Sequence, residues 1–100
     1  MAYRIAFAPR AADEIAELPR KIQRQVLRRV EFLAEAPRPR QSRKLEGVEH
    51  LYRIRSGDFR ILYQVHDDVV LVLVVRVGHR REVYRRLPAE QPPPDDSNEE

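Results

Sequence analysis

The sequence has no cysteine and no tryptophan, one methionine and three glycines in 100 residues. Without cysteine there is no disulfide, no zinc-thiolate site and no thiol nucleophile, a composition compatible with a reducing cytoplasm. Three scattered glycines make no Gly-rich phosphate loop. No histidine and carboxylate set has metal-ligand spacing, and no Ser-His-Asp arrangement stands out. We therefore expect neither metal nor cofactor. The longest apolar run, Val69 to Val75, is too short to span a bilayer, and "MAYRIAFAPR" lacks the basic start and apolar stretch of a signal peptide. These absences predict a cytoplasmic protein with no membrane partner, and the length fits one domain.

Basic residues are absent from the last fourteen positions, and this shapes the charge. All 19 lie at or before Arg86, against 11 acidic residues over the same stretch, a surplus of eight. Residues 88–100 carry five acids and no base. The basic body points to a polyanion or an acidic protein as partner. The ending, "LPAEQPPPDDSNEE", has little to bury and is expected to be an acidic, proline-rich disordered tail over 88–100, leaving 1–87 as the folded domain.

Along the body, Tyr3, Ile5 and Phe7 alternate with Ala2, Arg4 and Ala6, which predicts a short first strand. Pro9 suits the first turn of a helix, and Ala11, Ile15 and Leu18 recur at helical spacing until Pro19 stops them. A second helix, about Arg20 to Glu35, places Ile22, Val26, Val30 and Leu33 on one stripe. The short link predicts a helical hairpin. "APRPRQSRKLEGVEH" reads as a basic loop. "LYRIRSGDFRILYQVHDDVVLVLVVRV" then reads as three antiparallel strands, about 51–56, 59–66 and 69–77, turning at Gly57-Asp58 and Asp67-Asp68.

A two-residue turn at Gly57-Asp58 sets Ser56 opposite Phe59, Arg55 opposite Arg60, Ile54 opposite Ile61 and Arg53 opposite Leu62. Tyr52, Ile54, Phe59, Ile61, Tyr63 and Val65 then share one face, suited to packing on the helices. The other face receives Arg53, Arg55 and Arg60. Like charges directly opposite on neighbouring strands destabilise a sheet by roughly a few tenths to 1 kcal/mol per pair, so three on one small open face indicate an anion site. The valine-rich strand, paired beside residues 59–66, would deliver Gly78, His79, Arg80 and Arg81 to the same edge, with Tyr84 soon after. Cleaving RNA without a metal needs a base for the ribose 2′-hydroxyl, cations around the phosphorane and an acid for the leaving oxygen. Arginine supplies only the cations, since its pKa lies above about 12. His79, Tyr84 and Glu46 are the titratable groups nearest the patch.

These segments, "YRIAFAPRAADEIAELP", "KLEGVEHLYRIRSGDFRILYQV" and "VVLVLVVRVGHRREVYR", resemble the RelE toxins of bacterial type II toxin-antitoxin modules, within the RelE/ParE superfamily. The resemblance covers nearly the whole body and leaves out the acidic tail. It implies an α+β fold, an antiparallel sheet of about four strands on an N-terminal helical hairpin with a short C-terminal helix. It also implies a ribosome-dependent endoribonuclease that cuts mRNA in the ribosomal A site, leaving a 2′,3′-cyclic phosphate. By position, Arg60, Arg80 and Tyr84 match catalytic residues, and Arg53, Arg55 and Arg81 match basic positions expected to bind substrate; His79, at the strand end beside them, is expected to bind substrate as well. Arg53 and Arg55 stand where the family often has lysine. The implied partners are a RelB-like antitoxin, the ribosome and its mRNA, and operator DNA only through the antitoxin, with the toxin a monomer or part of a hetero-oligomer. A ParE-like inhibitor of DNA gyrase, or an inactive toxin kept as a corepressor subunit, would share the fold.

Overall fold

The alternating N-terminal segment forms strand β1 (Arg4–Phe7), and Pro9 opens helix α1 (Pro9–Ala16), at a position where its missing N–H would have no helical partner. Ala11 and Ile15, four residues apart, put α1 against the sheet. Pro19 begins the next helix, its carbonyl accepting the Gln23 N–H at 2.8 Å. Helix α2 (Arg20–Glu35) follows with the expected bounds and buries Val26, Val30 and Leu33 on one stripe. The Gln23 side-chain amide donates to the Ile15 carbonyl at 2.9 Å and so ties the two helices at their junction. In this computed structural model, residues 2–79 are described. The short C-terminal helix and the tail expected from the sequence lie outside them.

The remaining chain supplies β2 (Arg43–Lys44), β3 (Leu51–Ser56), β4 (Phe59–His66) and β5 (Leu71–His79) in one sheet of order β1-β5-β4-β3-β2. Four antiparallel strands were expected; the sheet has five and is mixed. β1 pairs with β5 in parallel, Arg4 opposite Leu71 through Phe7 opposite Val74. A parallel neighbour requires a long crossover, and the helices and central strands between β1 and β5 provide it. The two-residue β2 lies in the segment read as a loop, hidden among prolines and charges. The strand placed at 69–77 runs from Leu71 to His79 instead, because Asp67–Val69 forms a 3-10 turn and Val70 adopts φ 54, a left-handed conformation costly for a β-branched residue.

Helix-side burial is apolar: Ala11, Ile15, Val26, Val30 and Leu33 meet Ile54, Ile61, Tyr63, Val65, Val72, Val74 and Val77 in one core. Tyr63 is its one phenol, and its hydroxyl donates to the Pro37 carbonyl at 2.7 Å, while burial pushes its pKa up to about 12. A β-bulge interrupts the β4–β5 ladder, with Leu62 opposite Arg76 but Tyr63 opposite Val74. The extra residue, Val75, shifts the alternation by one. Val77 thereby enters the helix-side core, and Gly78 comes to lie opposite Arg60. No helix among the described residues is long and apolar enough to cross a membrane.

Candidate functional site

The β3–β4 register is the one the turn predicted: Arg55 opposite Arg60, Arg53 opposite Leu62, Ile54 opposite Ile61 and Ser56 opposite Phe59, with Gly57 at φ 63 in the turn. Glycine reaches that conformation without steric cost. Alternation then puts Arg53, Arg55 and Arg60 on the face away from the helices. On β5, Gly78 lies opposite Arg60 and His79 opposite Phe59, with the Phe59 and His79 rings edge-to-face at 6.0 Å. Arg55, Arg60 and Gly78 thus form a row across three strands at one end of the sheet.

The openness expected of that face needs correcting. Arg55 is exposed, but Arg53 and Arg60 are only 2% and 1% accessible. Arg60 sits on the central strand, and Arg53 is flanked by Leu62 on one side and Arg43 on the other. The face is also only half basic. Toward the start of β3 a second apolar cluster forms from Leu45, Leu51, Leu62 and Val75, closed by the 44–49 loop, whose Leu45 N–H donates to the Leu51 carbonyl at 2.9 Å. Arg53 stands at the border, two residues from Leu51 and two from Arg55. Long arginine stems suit such a border, covering apolar surface while the guanidinium stays with polar groups.

A cleft of about 330 Å³ is lined by Arg29, Gln41, Arg43, Arg53 and Arg55. The helix contributes Arg29 and the loop before β2 contributes Gln41, and sequence reasoning passed over both, along with Arg43. Helical periodicity assigns Arg29 to the polar side of α2, and only the packing of α2 beside β3 reveals what that side faces. Arg29 also lines a neighbouring groove of about 530 Å³ with Gln25, Arg28, Phe32, Ser56 and Gly57. Four guanidiniums among the described lining residues make a cleft that can bind phosphates, each fork offering two parallel N–H donors.

Among the titratable candidates, exposed His79 ends β5 at the arginine row. Glu46 does not join it: Lys44 pairs with Tyr52, so Glu46 lies past the leucine cluster, on the far side of Arg53 from Arg55. His50 and His66 face each other, ring centroids 5.0 Å apart, at the opposite end of the sheet. Arg80, Arg81 and Tyr84 lie outside the described residues. Among those described, no three His, Cys, Asp or Glu are grouped to hold a metal.

Two polar anchors fix the frame. β1 stops beside Val74, and among the described residues no strand continues along the last part of β5 on that side. Glu14 of α1 takes its place, one carboxylate oxygen accepting the Val77 backbone N–H at 2.7 Å and the other the Arg76 Nε–H at 2.9 Å. Arg76 is nearly buried, so this pair also settles a charge that would otherwise be costly. At the other end Arg38 donates both ends of its fork to Asp67, at 2.7 and 3.3 Å, and its Nε–H to the Tyr52 hydroxyl at 2.9 Å. The Tyr3 hydroxyl donates to Asp67 at 2.6 Å. The Arg38 and Tyr3 hydrogen bonds hold the Asp67 carboxyl below its ordinary pKa, and the same bond to Asp67 raises that of Tyr3.

Comparison with known proteins places this arrangement. The family model described as ParE toxin of type II toxin-antitoxin system, parDE, matches residues 5–84. The mRNA interferase toxin RelE of Escherichia coli (strain K12) is 38% identical over 88 residues, covering 84% of this chain and 92% of that protein. Among solved structures, the toxin in the intact E. coli RelBE toxin-antitoxin complex superposes with a TM-score of 0.70 at 35% identity, over 78% of this chain and 96% of that one. The toxin-antitoxin complex RelBE2 from Mycobacterium tuberculosis gives 0.72 at 26% identity, over 82% and 95%.

Proposed function

This chain belongs to the ParE toxin family of type II toxin-antitoxin systems, with RelE toxins among its relatives, and from that premise we propose that it is an endoribonuclease that cuts mRNA in the ribosomal A site. The observation that carries the reading is the arginine row: Arg55 and Arg60 directly opposite each other, Arg53 beside them, and β5 ending at His79 on the same edge. A protein that only had to fold would gain from replacing one member of the Arg55–Arg60 pair, because like charges at that spacing repel. Concentrated positive charge at a sheet end is what a pentavalent phosphorane requires.

In this reading Arg60 and Arg80 grip the scissile phosphate and stabilise charge that develops on its oxygens. Tyr84 stacks on the nucleotide or takes the 2′-hydroxyl proton. Arg53, Arg55, Arg81 and His79 hold the flanking RNA. The 2′-oxygen attacks the adjacent phosphorus, the 5′-oxygen of the next nucleotide leaves and takes a proton, and a 2′,3′-cyclic phosphate remains without a metal. With arginine at 53 and 55, proton transfer falls to His79, Tyr84 or water. A RelB-like antitoxin neutralises the toxin and carries it to operator DNA. The RelE relatives support a cytoplasmic site of action.

Primer extension on a reporter mRNA in a purified translation system, with and without ribosomes, tests this. Cuts confined to the A-site codon, formed only with ribosomes and with cyclic phosphate ends by mass spectrometry, are expected. A folded protein that arrests growth without cutting mRNA would overturn the reading in favour of gyrase inhibition.

A further inference from the structure

The cleft formed by Arg29, Gln41, Arg43, Arg53 and Arg55 has a potential occupant in the same chain. Residues 88–100 carry Glu90, Asp95, Asp96, Glu99 and Glu100 and no base, while the body before them has a surplus of eight positive charges. The family match ends at residue 84, short of the acidic segment. We propose that residues 88–100 dock on this arginine cleft and act as a built-in competitor of RNA phosphates. The inference goes beyond the nuclease reading, since it needs only that the cleft bind anions.

Geometry permits the docking. Gly78 lies opposite Arg60, and Arg60 opposite Arg55. Two strand spacings, about 10 Å, therefore separate the end of β5 from the cleft. Residues 80–87 connect the two, and the fully extended limit for eight residues, about 26 Å, exceeds that distance. Pro92, Pro93 and Pro94 favour an extended, stiff conformation at about 3.1 Å per residue, which lowers the entropy lost when Asp95 and Asp96 settle on a surface. Tethering replaces a bimolecular encounter with an effective concentration of about millimolar order. Each carboxylate–guanidinium contact at a solvated cleft is weak, so the docked tail exchanges with a ligand that presents more phosphates and yields to salt.

Because the chain has no cysteine, Ser97→Cys gives one attachment point for a nitroxide in the full-length protein. At low salt we expect paramagnetic broadening of the Arg29, Arg43, Arg53 and Arg55 amides, with Asp13 and Ala16 on α1 spared, and loss of the effect near about 0.5 M salt. Broadening absent from the cleft, or equal on α1, would overturn the proposal. A second measurement uses the full-length chain with Glu90→Gln, Asp95→Asn, Asp96→Asn, Glu99→Gln and Glu100→Gln, titrated with a short single-stranded RNA and followed by fluorescence anisotropy. At low salt the neutral-tail protein should bind about tenfold more tightly, and combining it with Arg29→Gln and Arg43→Gln should remove most of that gain. Equal affinities with either tail, or a gain undiminished by the cleft substitutions, would refute docking at this site. Neither readout requires the RNA to be cut.

Discussion

The two faces of the sheet bury side chains to opposite ends. On the helix side the buried groups of the sheet strands are apolar except Ser56, at the end of β3, and the Tyr63 hydroxyl, which donates to the Pro37 carbonyl. On the other side Leu51 and Leu62 share their strands with Arg53 and Arg60, both withdrawn from water. Burial on the first face stabilises at roughly 25 cal/mol per Å² of apolar surface. For a guanidinium it costs several kcal/mol before its partners are counted. One face therefore supports the fold, and the other holds charge in a fixed geometry at the expense of stability. The division predicts that substitutions on the two faces separate stability from activity.

Leu33→Ala gives the largest stability effect. Leu33 is fully buried in the helix-side core, and truncation should cost about 2–5 kcal/mol, a large part of the 5–15 kcal/mol typical of a domain. Urea denaturation reads the loss, while RNA cleavage per folded molecule stays near wild type. A selective fall in cleavage would mean that the helix face shapes the site directly. Arg60→Lys should do the reverse. It keeps charge and stem length but loses the planar fork, so we expect a fall in ribosome-dependent cleavage of about 100-fold with antitoxin binding retained. Undiminished cleavage would remove Arg60 from the proposed phosphate grip.

How far the faces could be read in advance follows from the same difference. The Gly57-Asp58 turn fixed the β3–β4 register from local chemistry, and with it the Arg55–Arg60 pair. Pro19 and the Val26, Val30 and Leu33 stripe gave α2 its bounds. The bulge at Val75 was illegible because Val74, Val75 and Val77 are alike, so a change of alternation leaves no trace in the pattern. The parallel β1–β5 pairing joins strands more than sixty residues apart and has no local signal. The burial of Arg53 and Arg60 was missed because arginine on an outward-facing position normally reads as solvated. Arg29 joins the cleft only through tertiary packing.

Glu14 stands at the seam, on a helix of one face and bonded to the strand that carries the end of the other. Glu14→Gln keeps the shape but weakens the charge-assisted bonds to Arg76 and the Val77 N–H, both in partly buried surroundings. The expected loss is about 1–3 kcal/mol, smaller than for Leu33→Ala, and the Val77 amide should exchange its hydrogen faster. Cleavage should fall further than stability alone explains, because β5 leads from Val77 to the row at Gly78 and His79. A loss of stability with full activity would show that the end of β5 is positioned by its pairing with β4 alone.

The smallest effect belongs to the far end of the sheet, where Arg38, Tyr3 and Asp67 meet at the surface. Asp67 is held below the ordinary carboxylate range by the hydrogen bonds from Arg38 and Tyr3. Its folded pKa is depressed, so the stabilisation is present above the unfolded value, near pH 4, and is lost as pH falls through the folded value below it. Asp67→Asn should lower the melting temperature slightly at pH 7, with a difference from wild type that narrows below about pH 4. A difference constant with pH would mean that the amide merely fits the turn less well. If the difference narrows, Arg38 is an arginine whose charge serves structure through one exposed carboxylate, and its removal should leave cleavage intact. Arg55 and Arg60, at the other end of the same strands, would then differ from it in use rather than in chemistry, each set by the group its strand register places opposite.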